Sequence, residues 1–583
     1  SNHSDVVNLD STQWRLVHTQ VPLSLWAPEV WNTADRGKPH RYSYELVDGA
    51  LRHLGHLSAR RLKIDTLGGK FAWYLNGQPF FAKGANVVLG PTRSSGPAEA
   101  QCLALLPHLV EQGYNALRIW GGGDYASPAF VEACDSLGIL LWHDLAFANT
   151  VYPNNAAMQR CLEREAEQLR RRLLGHPSTA LVCGNNEIEV AFSNWGWQEQ
   201  YGWSEQESQG LWQGYMRRFD TLLRAHFDGF FYLRSSPIGN WGNLSQMSRG
   251  DNHDWGVWHG EKRFNAGDSA FMPFVSEYGF PSFPWPVSAE LARDPSAYFH
   301  SYKGLALLKK YRDWELGPSP DFWQLPGFDS VRRSESLGEF AKQTQLLQAQ
   351  YLDMAMRQHR TALHGEWPLE ELIVHGRNIN ASGTFLPSCS GSLLWQLNDI
   401  DEAVSWSLYD WQSKPKLAAS AASQAMATYA VYTNGEEFRV AWGPEPLPGQ
   451  EKPLWIRVQA YGAKGKVLSQ WDQRIDVPGQ SPERLSIYSL ASFMNVPAEA
   501  CAWSAQLLGP DQKSVLDQYV WRVPGTSFET GSIQRTRKGY RTTVPFCYGI
   551  WPGKSGEEPQ FGWLLPGQSI PSKGADWIWG SLL

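Results

Sequence analysis

Two glutamates stand where a strand-and-helix chain would carry chemistry. Glu187 ends Cys183-Gly184-Asn185-Asn186-Glu187, just past an apolar strand that begins at Thr179. Glu277 lies in Ser276-Glu277-Tyr278-Gly279-Phe280, past a strand that begins at Met272. In a closed parallel barrel the C-terminal strand ends build the active site, so a carboxylate there weighs more than one on a helix. Counted along the chain these are strands four and seven, on opposing parts of the rim, and both carboxylates are expected to face one pocket. Two carboxylates about 5 Å apart hydrolyse a glycosidic bond with retention: one attacks the anomeric carbon, the other protonates the leaving oxygen and later activates water. Taken singly, a glutamate after a strand is more often a solvated loop residue or a rim ion pair. The expectation rests on the pair.

The elements that must hold them fall into three regimes. Residues 1–68 read as short alternating strands at 14–18, 21–26, 41–46 and 59–64, separated by Pro, Asp and Gly turns, a β-sandwich of reduced size. Residues 69–426 alternate apolar strands with helices. Helices are expected at 98–112, 128–137, 159–174 and 335–361. Strands are expected at 79–88, 115–120, 139–144, 179–184, 230–234, 250–255, 272–276 and 391–397. Gly138, and Gly175 followed by Pro177, are stop signals in the right order. Eight strands interleaved with helices fit a (β/α)8 TIM barrel with insertions. A doubly wound open sheet is the alternative, but no GxGxxG or GxxxxGK[ST] follows a strand. After Met426 the helices stop: 427–525 reads as a second β-sandwich and 526–583 as a small C-terminal one. The fold class is therefore multidomain, α/β plus all-β. The stretch 316–330 is Pro-rich and reads as a loop, and the sequons at Asn243 and Asn380 are too common a pattern to interpret.

Composition narrows the function. The 583 residues carry 52 Lys plus Arg against 58 Asp plus Glu, net charge -6, which excludes a basic stripe for nucleic acid and a polybasic membrane anchor. Mean hydropathy is -0.40, no apolar run approaches about 20 residues, and the first residues, Ser1-Asn2-His3-Ser4-Asp5, do not form a secretory signal. Seven scattered cysteines show no CxxC pair and read as buried thiols. Tryptophan occurs 29 times, which means either large cores or indole faces that stack on sugar rings. Only position separates these two uses.

Several motifs, in order, resemble glycoside hydrolase family 2, and within it the β-mannosidase branch. Besides the two glutamate segments they are Arg118-Ile119-Trp120-Gly121-Gly122-Gly123, the run Cys134 to Asp144, Trp395-Gln396-Leu397-Asn398-Asp399, and residues 74–87, with Trp406, Asp410 and Lys416 after the last strand. The resemblance covers about 70–426 well and the flanks loosely, and it implies that the flanking sandwiches are immunoglobulin-like. It implies Glu187 as acid/base and Glu277 as nucleophile. Arg118 would be the cation that keeps Glu277 ionised, and Tyr278 or another phenol would donate to it. Asn186 would bond the sugar 2-hydroxyl, Trp120 and Trp395 would wall the sugar pocket, and Asp144 would lie close to the sugar or bond backbone instead. In Gly250-Asp251-Asn252-His253-Asp254-Trp255, His253 and Trp255 are candidate wall residues, while Asp254 departs from the aromatic expected there. No cofactor and no metal are implied, although Asp251, His253 and Asp254 superficially suggest one.

The implied activity is retaining hydrolysis that releases β-linked mannose from oligosaccharides or glycans through a covalent glycosyl-enzyme. The alternatives are an endo-β-mannosidase and another family 2 exo-glycosidase. A galactosidase would carry metal-binding carboxylates and histidines, a glucuronidase a basic C6 motif, and a glucosaminidase an Asp in place of Glu187. A carbohydrate-binding protein without activity is the reading from a different class. The implied partner is a carbohydrate with a terminal β-mannoside, with no nucleic acid and no membrane. The largest departure is at the front. Members of the branch begin with a jelly-roll sugar-binding domain, and the resemblance implies that such a domain is cleaved off, lies outside this sequence, or is supplied by a partner polypeptide.

Overall fold

The computed structural model describes residues 8–9, 14–15, 29–48, 51–91, 98–153, 155–239, 248–257, 272–284, 337–362, 384–385, 389–433, 437–442, 453–475, 484–489, 497–523, 533–536, 539–542, 547–551, 560–565, 569–570 and 579–581. The expected strand at 21–26, the Pro-rich loop and both sequons lie outside them.

The apolar strands of the middle regime pair into one eight-stranded parallel sheet: β1 (Ala82–Val87), β2 (Ala116–Ile119), β3 (Leu140–Asp144), β4 (Thr179–Cys183), β5 (Tyr232–Leu233), β6 (Asp251–Asp254), β7 (Phe274–Tyr278) and β8 (Gly391–Leu394). The strand order is β5-β4-β3-β2-β1-β8-β7-β6. A parallel bridge between Gly239 and Asn252, with the Gly239 amide on the Asp251 carbonyl at 2.8 Å, joins the two edges. This order and closure fit a TIM barrel. Among the described residues the helices are α1 (Ala98–Glu111), α2 (Pro128–Leu137), α3 (Ala156–Leu173), α4 (Ile188–Asn194), α5 (Trp197–Gln200), α6 (Glu205–His226), α7 (Leu337–Arg360) and α8 (Leu417–Met426). Local chemistry sets several ends. The Ser127 side chain caps α2 by accepting the Phe130 amide, Pro128 starts it, and Gly138, at φ 74, ends it. Ser204 and Glu207 form a reciprocal capping box on α6.

Side chains alternate between the inside and the outside of the barrel along each strand, and the inward ones nearest the strand starts are apolar. Ala82, Ala116, Leu140, Leu181, Phe274 and Leu393 point into an apolar cluster with Phe71 and Trp73. Trp73 stacks on Phe274 at 5.5 Å between centroids, and Phe71 meets Phe274 edge-on at 5.2 Å. Trp73 lies in, and Phe71 directly precedes, the strand Ala72–Leu75 of an antiparallel sheet with Leu62–Asp65 and Gln78–Phe80, which seals the N-terminal end. Leu62–Asp65 pairs directly with Ala72–Leu75, so a domain boundary at 68/69 would cut a hairpin. Likewise 79–88 is two strands rather than one. Further upstream, Tyr42–Asp48 and Leu51–Leu57 form a hairpin.

After the barrel come β9 (Tyr429–Thr433), β10 (Glu437–Trp442), β11 (Leu454–Tyr461), β12 (Val467–Ile475), β13 (Arg484–Ser489), β14 (Ala502–Leu508) and β15 (Val515–Arg522). They make two four-stranded antiparallel sheets, one of which includes Thr384–Phe385. Val431 and Phe438 of one sheet share a core with Ile456, Trp503 and Leu507 of the other. A buried Arg357 on α7 ties this unit to the barrel: it bonds Asp353 at 2.7 Å and Asp517 on β15, and donates to the Val431 carbonyl at 3.2 Å. Strands between Ile533 and Ser581 form two further three-stranded sheets. Cys102, Cys134, Cys183, Cys389 and Cys501 are buried free thiols, and Cys161 is exposed.

Candidate active site

At the other end of the barrel the inward positions are polar. Asn86 on β1, Arg118 on β2 and Asp144 on β3 are two or four residues beyond the floor residues of their own strands. Arg118 is fully buried and spreads its five hydrogens over four side chains. Nη1 reaches Glu277 Oε1 at 2.7 Å and Asn86 Oδ1 at 3.1 Å, and Nη2 reaches Asp144 Oδ2 at 2.8 Å and Asn186 Oδ1 at 2.7 Å. Nε lies 3.4 Å from Asp144 Oδ1. Burial opposes its charge, but Asp144 and Glu277 hold its pKa above the ordinary arginine value. Asp144 also accepts the Trp142 indole N–H at 2.8 Å and the Gly121 amide at 3.2 Å. Both its oxygens are engaged by the protein, which favours the backbone-bonding alternative for this residue.

The loop after β4 presents Asn186 and Glu187. Glu187 adopts φ 58 and ψ 5, a left-handed conformation rare for a side-chain residue, which costs about 1–2 kcal/mol. The surroundings hold it there. Its amide bonds the Ser236 carbonyl at 2.8 Å, its carbonyl accepts the Ala191 amide at 2.8 Å, and the Asn186 amide bonds the Phe147 carbonyl at 2.8 Å. Asn186 Nδ2 donates to Asn149 Oδ1 at 3.0 Å, so the amide is oriented from both ends.

Glu187, His253 and Glu277 each place one polar atom within 4.8 Å of the others. His253 Nδ1 is 2.6 Å from Glu187 Oε1 and 3.4 Å from Glu277 Oε2. Trp255 Nε1 donates to Glu277 Oε2 at 3.3 Å. The two carboxyls therefore meet with unequal neighbours: Glu277 faces a guanidinium and an indole N–H, while Glu187 faces an imidazole nitrogen. Burial raises the Glu277 pKa above its ordinary value, with His253 and Arg118 acting against that and Glu187 with it. Burial lowers the His253 pKa to about 4.

This trio also has the outline of a metal-ligand set. The 2.6 Å approach of Nδ1 to Oε1 is that of a shared proton, however, since two ligands on one zinc ion stand roughly 3 Å or more apart. Arg118 already supplies the cation at Glu277. A second such group, Glu132, Asp135 and His176, is occupied by Arg41 on Glu132 and by His176 on Asp135 at 2.6 Å.

Trp120 and Trp395 meet edge-to-face at 4.9 Å. The Trp120 ring lies where a Cβ on Gly122 would stand, and a Cβ on Gly279 would be 2.4 Å from the Trp395 carbonyl oxygen, so both glycines are required by close approach. Trp120 Nε1 is buried and finds no hydrogen-bond partner among the described residues.

Tyr278 is not at this pocket. Its hydroxyl accepts from Ser392 Oγ at 3.0 Å and its ring meets His359 at 4.7 Å, on the side facing α7. Neighbours on a strand point to opposite faces, so the residue after Glu277 cannot donate to it, and the indole of Trp255 does so instead. His253, expected as a wall, bonds Glu187. Lys416 and Asp399, 3.8 Å apart and buried, and Asp410, which accepts the Gln412 and Lys414 amides at 2.9 Å each, shape the segment after β8. Sequence reasoning missed Asn86, Asn149 and Ser236, and weighed Asp251 only as a superficial metal ligand. Asn86 could have been found as a polar residue late in a barrel strand, whereas Asn149 and Ser236 leave no such signal.

No family model matches the chain. β-Mannosidase B of Aspergillus terreus is 26% identical over 461 residues, 75% of this chain and 51% of that protein. The β-mannosidase of Bos taurus is 28% identical over 420 residues, 69% and 45% respectively. The chain spans about half the length of these curated relatives. The crystal structure of β-D-mannosidase from Dictyoglomus thermophilum aligns with TM-score 0.66 and 23% identity over 95% of this chain and 66% of that one. The chain resembles the β-mannosidase branch of glycoside hydrolase family 2. Among the described residues, no helix is long and apolar enough to cross a membrane.

Proposed function

We propose that this chain is a retaining glycoside hydrolase that releases β-linked mannose. The observation that carries the proposal is the pair Glu187 and Glu277, each with one oxygen in a group spanning 4.8 Å, the short separation of direct displacement rather than the wider gap that admits a water between. Their surroundings support a division of labour. Glu277, paired with Arg118 and the Trp255 N–H, is the nucleophile. It attacks the anomeric carbon as the bond to the leaving oxygen breaks, and the Glu187 proton goes to that oxygen. Water then gives its proton to Glu187 and displaces Glu277 from the sugar.

Glu187, with an 11% exposed side chain against 4% for Glu277, is the one nearer solvent and the leaving group. Asn186, held by Arg118 and Asn149, is assigned to the sugar 2-hydroxyl. Trp120 and Trp395 are assigned to the pocket wall, where the unpartnered Trp120 N–H suits a sugar hydroxyl. The substrate class is proposed from the relatives, which are named β-mannosidases. The two-sheet unit at 427–525 is proposed as immunoglobulin-like, and the sheets after it as a separate small sandwich.

The test is trapping with a 2-deoxy-2-fluoro-mannosyl fluoride. The expected result is one added fluoromannosyl mass on the peptide bearing Glu277, together with hydrolysis of aryl β-mannosides in preference to their C2 and C4 epimers. A label on another residue overturns the assignment, and hydrolysis confined to an epimer overturns the substrate.

A further inference from the structure

Behind the two carboxyls a line of buried polar groups runs inward from His253. Asp251 Oδ1 accepts the Ile238 amide at 2.7 Å, and Oδ2 accepts the hydroxyls of Ser236 at 2.6 Å and Ser276 at 2.9 Å. Ser236 Oγ also stands 3.1 Å from His253 Nε2. His253 Nδ1 is 2.6 Å from Glu187 Oε1. Ser236, Asp251 and His253 are all at most 1% exposed, so bulk water does not rearrange these bonds.

A count of hydrogens decides their direction. A serine hydroxyl owns one hydrogen. If Ser236 gives it to Asp251, its oxygen can only accept from His253, which puts a hydrogen on Nε2. A neutral imidazole has no second hydrogen, so Nδ1 is bare. Two lone pairs cannot face each other at 2.6 Å, so the hydrogen between Nδ1 and Oε1 belongs to Glu187. The opposite polarity, with Nδ1–H donating to a Glu187 carboxylate, needs Ser236 to turn its hydrogen to Nε2. That leaves a bare oxygen 2.6 Å from the Asp251 carboxylate in a buried site, a costly contact.

We propose that Ser236 and Asp251 are positioning residues that hold the His253 proton on Nε2, and that the bare Nδ1 keeps Glu187 protonated in the resting site. The inference rests on the reading of Glu187 as acid/base and adds how its proton is kept there. It also accounts for the second half of the reaction, because a Glu187 carboxylate left facing a bare nitrogen is driven to recover a proton from the attacking water.

The titratable groups around the imidazole are Glu187 after β4, Glu277 on β7, Arg118 on β2, Asp144 on β3 and Asp251 on its own strand. Burial outweighs the pull of Glu277, Asp251 and Asp144, with Arg118 acting in the same sense as burial, and this favours the neutral ring at neutral pH.

Two measurements test this. In the pH profile of kcat/KM on an aryl β-mannoside, Ser236→Ala frees Nδ1 to carry the proton and donate to a Glu187 carboxylate. The alkaline limb then moves to lower pH by about one unit, a tenfold loss on that side, the acid limb stays, and Ser236→Thr restores the profile. A uniform loss at every pH, or no change, overturns the proposal. Independently of any substrate, long-range proton–nitrogen correlation of the native chain, with His253 assigned by its loss in His253→Ala, should show Nε2 protonated and Nδ1 bare. A protonated Nδ1 overturns the proposal. A native chain that cleaves no β-mannoside but shows the Nε2–H tautomer sinks the mannosidase reading and leaves the hydrogen-bond polarity standing.

Discussion

The two ends of the barrel are built from the same strands and could hardly differ more. At the floor, Ala116, Leu140 and Phe274 close on Phe71 and Trp73 without a charge. Two to four residues later on the same strands, Arg118, Asp144 and Glu277 are buried to a similar degree. The floor gains its stability from apolar area removed from water, roughly 25 cal/mol per Å². The rim takes several charges out of water, which weakens a fold unless each is paired. A region that costs stability and is nevertheless filled with mutually oriented charges supports the proposed catalytic role. Trp142 belongs to both ends: its ring packs against Phe71 and Phe274 at 5.8 Å each, while its N–H holds Asp144 at 2.8 Å.

The contrast breaks most sharply at Glu277. Glu277→Gln should lower kcat/KM at least about 10⁴-fold while the urea midpoint stays near native, because glutamine keeps an acceptor for Arg118 and Asp144 still pairs the guanidinium. A large stability loss with little activity loss would turn the rim into ordinary structure. Glu187→Gln should cost roughly 10²–10⁴-fold on substrates with poor leaving groups, much less on a dinitrophenyl glycoside, with azide restoring turnover; absent rescue removes its acid/base role.

The floor should behave in the opposite sense. Trp73→Ala should cost about 3–5 kcal/mol by urea unfolding, with kcat per folded molecule unchanged. An equal fall in kcat would mean that the two ends are mechanically coupled. The buried histidines sharpen the comparison through pH. Burial lowers the pKa of both His143 and His253 from 6.5 to about 4. Between those values the unfolded chain takes up protons that the fold refuses, so stability is fully present above pH 6.5 and falls as pH drops toward 4, by about 3 kcal/mol per histidine. Glu277, raised by burial, works the other way at the acid end. Urea midpoints across this range should decline, and less steeply in His143→Gln. The smallest effect is expected for Trp142→Phe, which keeps most of the packing and loses one charge-assisted hydrogen bond, about 2 kcal/mol.

Much of this was legible without coordinates wherever the signal is local. The helix Pro128–Leu137 was read to the residue because a serine cap, a first-turn proline and a terminal glycine all act within a turn. The eight barrel strands were read to within a few residues from apolar runs with punctuation. The hairpin that crosses 68/69 was not, because its residues look like those of any sandwich strand until Trp73 is seen entering the barrel floor. The capping box of α6 was present in the sequence as Ser204 and Glu207 and went unused. The misplacement of Tyr278 came from reading a motif as a cluster, when strand alternation sends its members to opposite faces.

By itself the amino-acid order determined that the middle of the chain carries eight barrel strands, that polar side chains stand at their C-terminal ends, and that two glutamates are among them, because periodicity, caps and side-chain type are properties of short segments. Only tertiary structure decided that Arg118 is shared among Asn86, Asp144, Asn186 and Glu277, that Trp255 rather than Tyr278 donates to Glu277, and that Ser236 and Asp251 stand behind His253. Those contacts join residues 15 to 159 positions apart. Their geometry is set by closure of the sheet, which no local pattern encodes.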